Sequence, residues 1–124
     1  MGVISFTANW NNKLNGKAFT TIRLSNSYRY VVGREYTIEL AGKILGCAIL
    51  KEKRTLSISQ LNEFICQLDT GYSKAETIAI LKRMYPNIDI SQALFDLCLL
   101  VYKTSKEQPK RNNNAVELRL PYKD

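Results

Sequence analysis

The chain of 124 residues contains no histidine. That absence excludes a Ser-His-Asp triad, a cysteine–histidine nucleophile and most zinc sites, all of which need an imidazole. Only three cysteines occur, Cys47, Cys66 and Cys98. Their number is odd, they are far apart, and no CxxC spacing exists, so no disulfide framework is expected. Each lies among apolar neighbours and reads as a buried thiol in a reducing, cytoplasmic setting. No apolar run reaches the roughly 18 residues needed to cross a bilayer. The first six residues lack a basic n-region and a long apolar core, so no secretory signal is expected. Phe6 stands where a myristoylation motif wants Ser or Thr. No cofactor, metal or membrane partner is expected.

What is present fits one globular domain. Hydrophobic residues make up 45% and charged residues 23% of the chain, ordinary values for a domain large enough to bury its own core. The net charge is +7. It favours polyanions such as nucleic acid, or an acidic partner surface, although solubility alone also accounts for such a charge.

Patterning divides the chain into short elements. Val3 to Thr7 alternates and predicts a strand. Asn9 to Leu14 predicts a short helix or turn stopped in the left-handed region at Asn15-Gly16. Phe19 to Leu24 is a Thr-rich strand, followed by a loop from Asn26 to Tyr30 and a turn opened by Gly33. Tyr36 to Leu40 and Lys43 to Leu50 form a hairpin around Ala41-Gly42. Lys51-Glu52-Lys53-Arg54 reads as a basic connection, either solvated or touching phosphate. Ile58, Leu61, Ile65 and Leu68 recur at helical spacing, with Gly71 as the stop. Ser73 and Glu76 form a capping box opening a second helix that carries Ile78, Leu81 and Tyr85 and ends at Pro86. Leu97 to Tyr102 predicts a buried final strand. Residues 1–103 thus form the domain, and 104–124 a basic, polar tail. Within the tail, Val116 to Leu120 alternates and predicts an edge strand, in this chain or against a partner.

One run stands out. Asn15-Gly16-Lys17-Ala18-Phe19-Thr20-Thr21-Ile22-Arg23-Leu24 leads from a Gly turn into a strand with a lysine, two hydroxyls and an arginine. Alternation puts Lys17, Phe19, Thr21 and Arg23 on one face and Ala18, Thr20 and Ile22 on the other. Neither face is cleanly apolar. The guanidinium fork of Arg23 suits a phosphate or carboxylate, and Lys17 supplies a point charge. Asp69, in the turn before Gly71, is a candidate to accept a base amine or act as a general base, or simply to cap or pair with the basic strand. Trp10 and Tyr72 are candidate stacking platforms for a base, or core.

The order of elements, with Gly16, Lys17, Thr20, Thr21, Arg23, Gly33, Gly46, Asp69 and Tyr85-Pro86, resembles the ASCH family of the PUA-like superfamily over about residues 3–103. The resemblance implies an α+β fold, a partly open β-barrel with flanking helices, whose cleft binds RNA or a nucleoside. One branch of that family hydrolyses acetylated cytidine through a Gly-x-Lys-Thr-x-Thr-x-Arg motif and a later glutamate. Aligned on Gly16 and Arg23, the motif's lysine falls on Ala18 and its first threonine on Phe19. The glutamate position falls near Asp69 or Thr70.

The expected function is therefore binding of RNA or a nucleotide by Lys17, Thr20, Thr21, Arg23 and Asp69, with Tyr72 and Trp10 stacking a base. The alternative is an amidohydrolase on a modified nucleoside, with Lys17, Thr21 and Asp69 as its catalytic residues. A further alternative is a protein-interaction module that adds the tail strand to a partner's sheet.

Overall fold

The computed structural model describes residues 2–103. The tail and its expected edge strand at Val116 to Leu120 lie outside the described residues. Five strands form one mixed sheet: β1 (Gly2–Phe6), β2 (Ala18–Leu24), β3 (Glu35–Leu40), β4 (Lys43–Ser57) and β5 (Leu94–Tyr102). Their order is β1-β3-β4-β5-β2. β1 runs parallel to β3, and every other pairing is antiparallel. A 3-10 segment, Trp10–Asn15, links β1 to β2. A second, Ile58–Gln60, precedes α1 (Glu63–Asp69) and α2 (Lys74–Met84).

The sheet curls until its two edge strands meet. Phe6 on β1 and Phe19 on β2 pack edge-to-face at 5.8 Å. The Arg23 guanidinium donates to the Ser5 carbonyl at 2.8 Å, and Arg29 donates to the Val3 carbonyl at 2.7 Å. The seam is thus closed by side chains rather than by a backbone ladder. The result is an α+β, partly open barrel with flanking helices. Two bulges bend it, both with the extra residue on β4: Leu45, opposite the Ile38–Glu39 step of β3, and Lys51, opposite the Leu99–Leu100 step of β5.

Alternation sorts the core onto both faces of the sheet. Phe19, Leu50, Cys98 and Leu100 turn inward with Ile4, Phe6 and Ile38. Ile22, Phe95 and their neighbours turn outward against Leu61, Cys66 and Leu81 of the helical layer. This explains why both faces of β2 carry apolar residues among the polar ones. Its inner side lines the barrel and its outer side carries the helices.

The helix ends follow local chemistry. Asn62 accepts from the Ile65 N–H at 2.8 Å, and Ser73 with Glu76 completes the expected capping box. Gly71 takes φ +80°, the left-handed turn between the helices.

Three local expectations are corrected. Gly16 is not left-handed (φ −87°); Asn11 and Asn12, at φ 57° and 53°, take that region instead. Asparagine tolerates it better than most residues. Lys51 to Arg54 is not a connection but part of the 15-residue β4, because β5 offers it a full ladder. Arg54 pairs with Glu52 at 3.0 Å on the outer face, while Lys53, opposite the inward-facing Cys98, donates to the Tyr30 carbonyl at 2.8 Å. The helical run from Ile58 breaks at Leu61-Asn62, where Asn62 starts α1 afresh. Among the described residues, no helix is long and apolar enough to cross a membrane.

Candidate functional site

The site forms along the free edge of β2. The Tyr102 N–H donates to the Lys17 carbonyl and the Ser25 N–H to the Leu94 carbonyl, both at 2.9 Å. In an antiparallel ladder this register turns the odd residues of β2 toward β5 and the even ones away from it. The backbone of Thr20, Ile22 and Leu24 therefore faces the free edge. There the Leu24 N–H donates to the Tyr85 hydroxyl at 3.1 Å. The 3-10 segment and the α1–α2 turn close over the rest.

Asp69 is buried at the end of α1. Its Oδ1 accepts from Lys13 Nζ at 2.9 Å and from Thr20 Oγ1 at 2.7 Å. The Lys13 and Asp69 side chains are only 7% and 5% exposed, so water screens this ion pair little. Burial lowers the Lys13 pKa; the attraction and hydrogen bond of Asp69 oppose that, and the Arg23 charge adds to it.

Arg23 donates through Nε to Thr21 Oγ1 at 2.9 Å and stacks on Phe6 with its guanidinium carbon 4.6 Å from the ring centroid. Lys13 Nζ lies 5.4 Å from the same centroid. Two cations thus share one ring beside one carboxylate, a local excess of positive charge.

These groups line a cavity of about 30 Å³ with Trp10, Ile22, Thr70 and Met84. That is room for one water-sized group. A nucleoside does not fit there, since pockets for drug-sized ligands run to about 300–1,000 Å³. Trp10 and Tyr72 stand beside it as an edge-to-face pair, 5.9 Å between centroids and 73° between planes. Both line an open trough of about 400 Å³ on one flank and another of about 250 Å³ on the other.

The fold therefore brings Thr20, Thr21, Arg23, Asp69, Trp10 and Tyr72 to one edge. Lys17 is exposed ahead of β2 and does not line the cavity. The lysine at Asp69 is Lys13. Spacing within the strand motif hides it, because Lys13 belongs to the preceding 3-10 segment and meets Asp69 only through packing. No sequence motif marks Asp96 either. Wholly buried, it accepts from Ser25 Oγ, the Asn26 N–H and Thr55 Oγ1, and so anchors the loop after β2. Asp69 pairs with a lysine of the 3-10 segment rather than with the basic strand's own lysine, and from that strand it accepts only the Thr20 hydroxyl. Among the described residues, no group of three or more His, Cys, Asp and Glu is placed to hold a metal.

No protein-family model matches the chain, and no curated protein sequence is significantly similar to it. Among solved structures, it is similar to protein EF3133 of Enterococcus faecalis V583, assigned to the DUF984 family. The two superpose with a TM-score of 0.58 over 82% of this chain and 80% of that one, at 9% identity. Likeness at so low an identity establishes a shared fold alone.

Proposed function

We propose that this chain is an ASCH-like, PUA-type domain that binds RNA or a nucleotide at the free edge of β2. One observation carries the reading: two cations, a carboxylate, two threonines and an aromatic pair converge on that edge although they come from four separate elements. Arg23 and Lys13 supply positive potential, and Trp10 and Tyr72 supply stacking surface. The net charge of +7 is consistent with a polyanionic ligand. The order of strands and glycines that resembles the ASCH family supports the same class.

The test is binding of labelled single-stranded RNA across a salt series, with mass spectrometry of molecules that copurify. Affinity should fall linearly on a log–log plot, with a slope set by the phosphates contacted. Absence of RNA binding at low salt would remove the proposal.

A second reading is favoured by the Lys13–Asp69–Thr20 cluster. A buried amine with a lowered pKa, a carboxylate and a hydroxyl are components of amide hydrolysis. In this reading Lys13 takes the place that Lys17 was expected to fill, and the substrate is a modified nucleoside such as acetylated cytidine. Turnover of that nucleoside, lost in both Lys13→Met and Asp69→Asn, would establish it. The small volume of the cavity weighs against it.

A further inference from the structure

Trp10 is presented by a loop with two left-handed residues. Asn11 and Asn12 follow it in the left-handed region, a conformation that persists only where surrounding contacts over-determine it and that clusters at ligand clamps. Here those contacts are specific. The Asn9 side chain accepts from the Leu14 N–H at 2.9 Å and donates to Asn15 Oδ1 at 3.1 Å. Asn11 Nδ2 lies 3.4 Å from the carbonyls of Gln67 and Leu68. A Cβ on Gly71 would come within 3.2 Å of the Asn11 side chain. The loop is thereby docked on the α1–α2 turn that carries Tyr72, and the two rings are held in one fixed relation.

Trp10 packs in part against the barrel core, and neither ring is fully buried. Tyr72 is 42% exposed and Trp10 half-buried. In an edge-to-face pair neither ring covers the other face-on, and both rings line the two troughs. The larger trough reaches the volume of a ligand site and the smaller falls just short of it, whereas the 30 Å³ cavity is far below it. The 250 Å³ trough also contains Arg83 and Glu76. Arg83 is exposed and has no hydrogen bond or ion pair among the described residues, so its fork is free for a phosphate. Glu76 spends one oxygen on the Ser73 N–H; the other has no hydrogen bond among the described residues and can accept from a base amine. The 400 Å³ trough is lined by Asn11, whose Oδ1 accepts no hydrogen bond within the described chain. It suits the hydroxyl of a ribose, and this distinguishes RNA from DNA.

We infer that the ligand is single-stranded RNA, held as two consecutive unstacked bases, one in each trough beside the Trp10–Tyr72 pair, with the phosphate on the Arg83 side. This rests on the nucleotide-binding reading and gives it a substrate class. A duplex keeps its bases stacked and cannot straddle the pair. A free mononucleotide fills one trough only.

Trp10 is the sole tryptophan, so its fluorescence reports on the site directly. The full chain should be titrated with uridine monophosphate, the dinucleotide UpU, a single-stranded oligouridine, its DNA counterpart and an RNA duplex. UpU and the oligouridine should quench Trp10. UpU should bind at least 10-fold tighter than the monophosphate, and both RNAs tighter than the DNA and the duplex. One stacked base contributes about 1–3 kcal/mol, or roughly 5- to 150-fold, so Tyr72→Ala should weaken UpU by that factor and Tyr72→Phe by much less. Arg83→Ala should reduce the salt slope by about 1. If no RNA binds by any method, the nucleotide reading itself falls. If oligouridine binds with ordinary salt dependence but Trp10 is unquenched and Tyr72→Ala is silent, that reading stands and the two-base platform is overturned. Equal affinity for monophosphate and UpU overturns the second base position, and equal affinity for DNA overturns the ribose contact.

Discussion

Replacing Asp69 by asparagine tests whether the Lys13–Asp69–Thr20 cluster is organised as described. The exchange keeps the shape and removes the charge. Lys13 is then left as an uncompensated cation with a side chain only 7% exposed. Breaking a buried pair from one side costs about 3–5 kcal/mol, a large part of the about 5–15 kcal/mol that holds a domain folded. Asparagine can still offer its carbonyl to Lys13 and Thr20, so the lower end, about 3 kcal/mol, is expected. In urea this moves the midpoint down by about 1–3 M. The pH dependence carries the diagnostic sign. Burial already sets the Lys13 pKa below 10.5 in the folded state, despite the opposing pull of Asp69. The unfolded chain therefore binds that proton more tightly, and this group's contribution to stability rises as pH climbs from the lowered value to 10.5. Without the Asp69 charge the Lys13 value drops further, and the window opens downward. The cost of Asp69→Asn should thus be largest near neutral pH and shrink as pH rises. Adding Lys13→Met should recover part of the loss, because both charges are then gone, giving a coupling above about 1 kcal/mol. A cost below about 1 kcal/mol at every pH, with additive single changes, would refute the buried pair.

Arg23→Ala should destabilise the fold by about 2 kcal/mol in urea unfolding, because it removes charged donors from Thr21 and the Ser5 carbonyl as well as the stack on Phe6. Gly71→Ala should cost about 1–2 kcal/mol by thermal unfolding, since φ +80° and the 3.2 Å approach to Asn11 both oppose a side chain. Cys47, half-buried, should be the first of the three thiols alkylated at mildly alkaline pH in a peptide-mapped mass-spectrometric time course. Cys98 should remain protected, as burial pushes its thiol pKa up to about 12 and leaves almost no thiolate to react.

Much of the local structure was legible in the residues. The hairpin around Ala41-Gly42 follows from two β-rich runs and a turn with two positive φ values. The second helix follows from Ser73, Glu76 and the apolar spacing up to Tyr85. The apolar final strand follows from a run that has to be buried on both faces. Each is a decision taken within about ten residues, where propensity, capping and periodicity act directly. The mixed character of β2 was visible too, as were the hydroxyls, arginine, carboxylate and aromatics that its edge collects.

Other decisions belonged to tertiary structure. Strand order β1-β3-β4-β5-β2 places β1 and β2 at opposite edges, and only the curl of the sheet brings Phe6 to Phe19 and Arg23 to Ser5. The extension of β4 through Lys51 to Arg54 required β5 as a ladder partner, against a local composition that reads as a loop. The choice of Lys13 over Lys17 at Asp69 was likewise non-local. The two lysines are four positions apart, and 56 positions separate Lys13 from the carboxylate. Side-chain chemistry names the residues able to form such a pair, but desolvation and packing select the one that does, and those act only once distant segments are brought together.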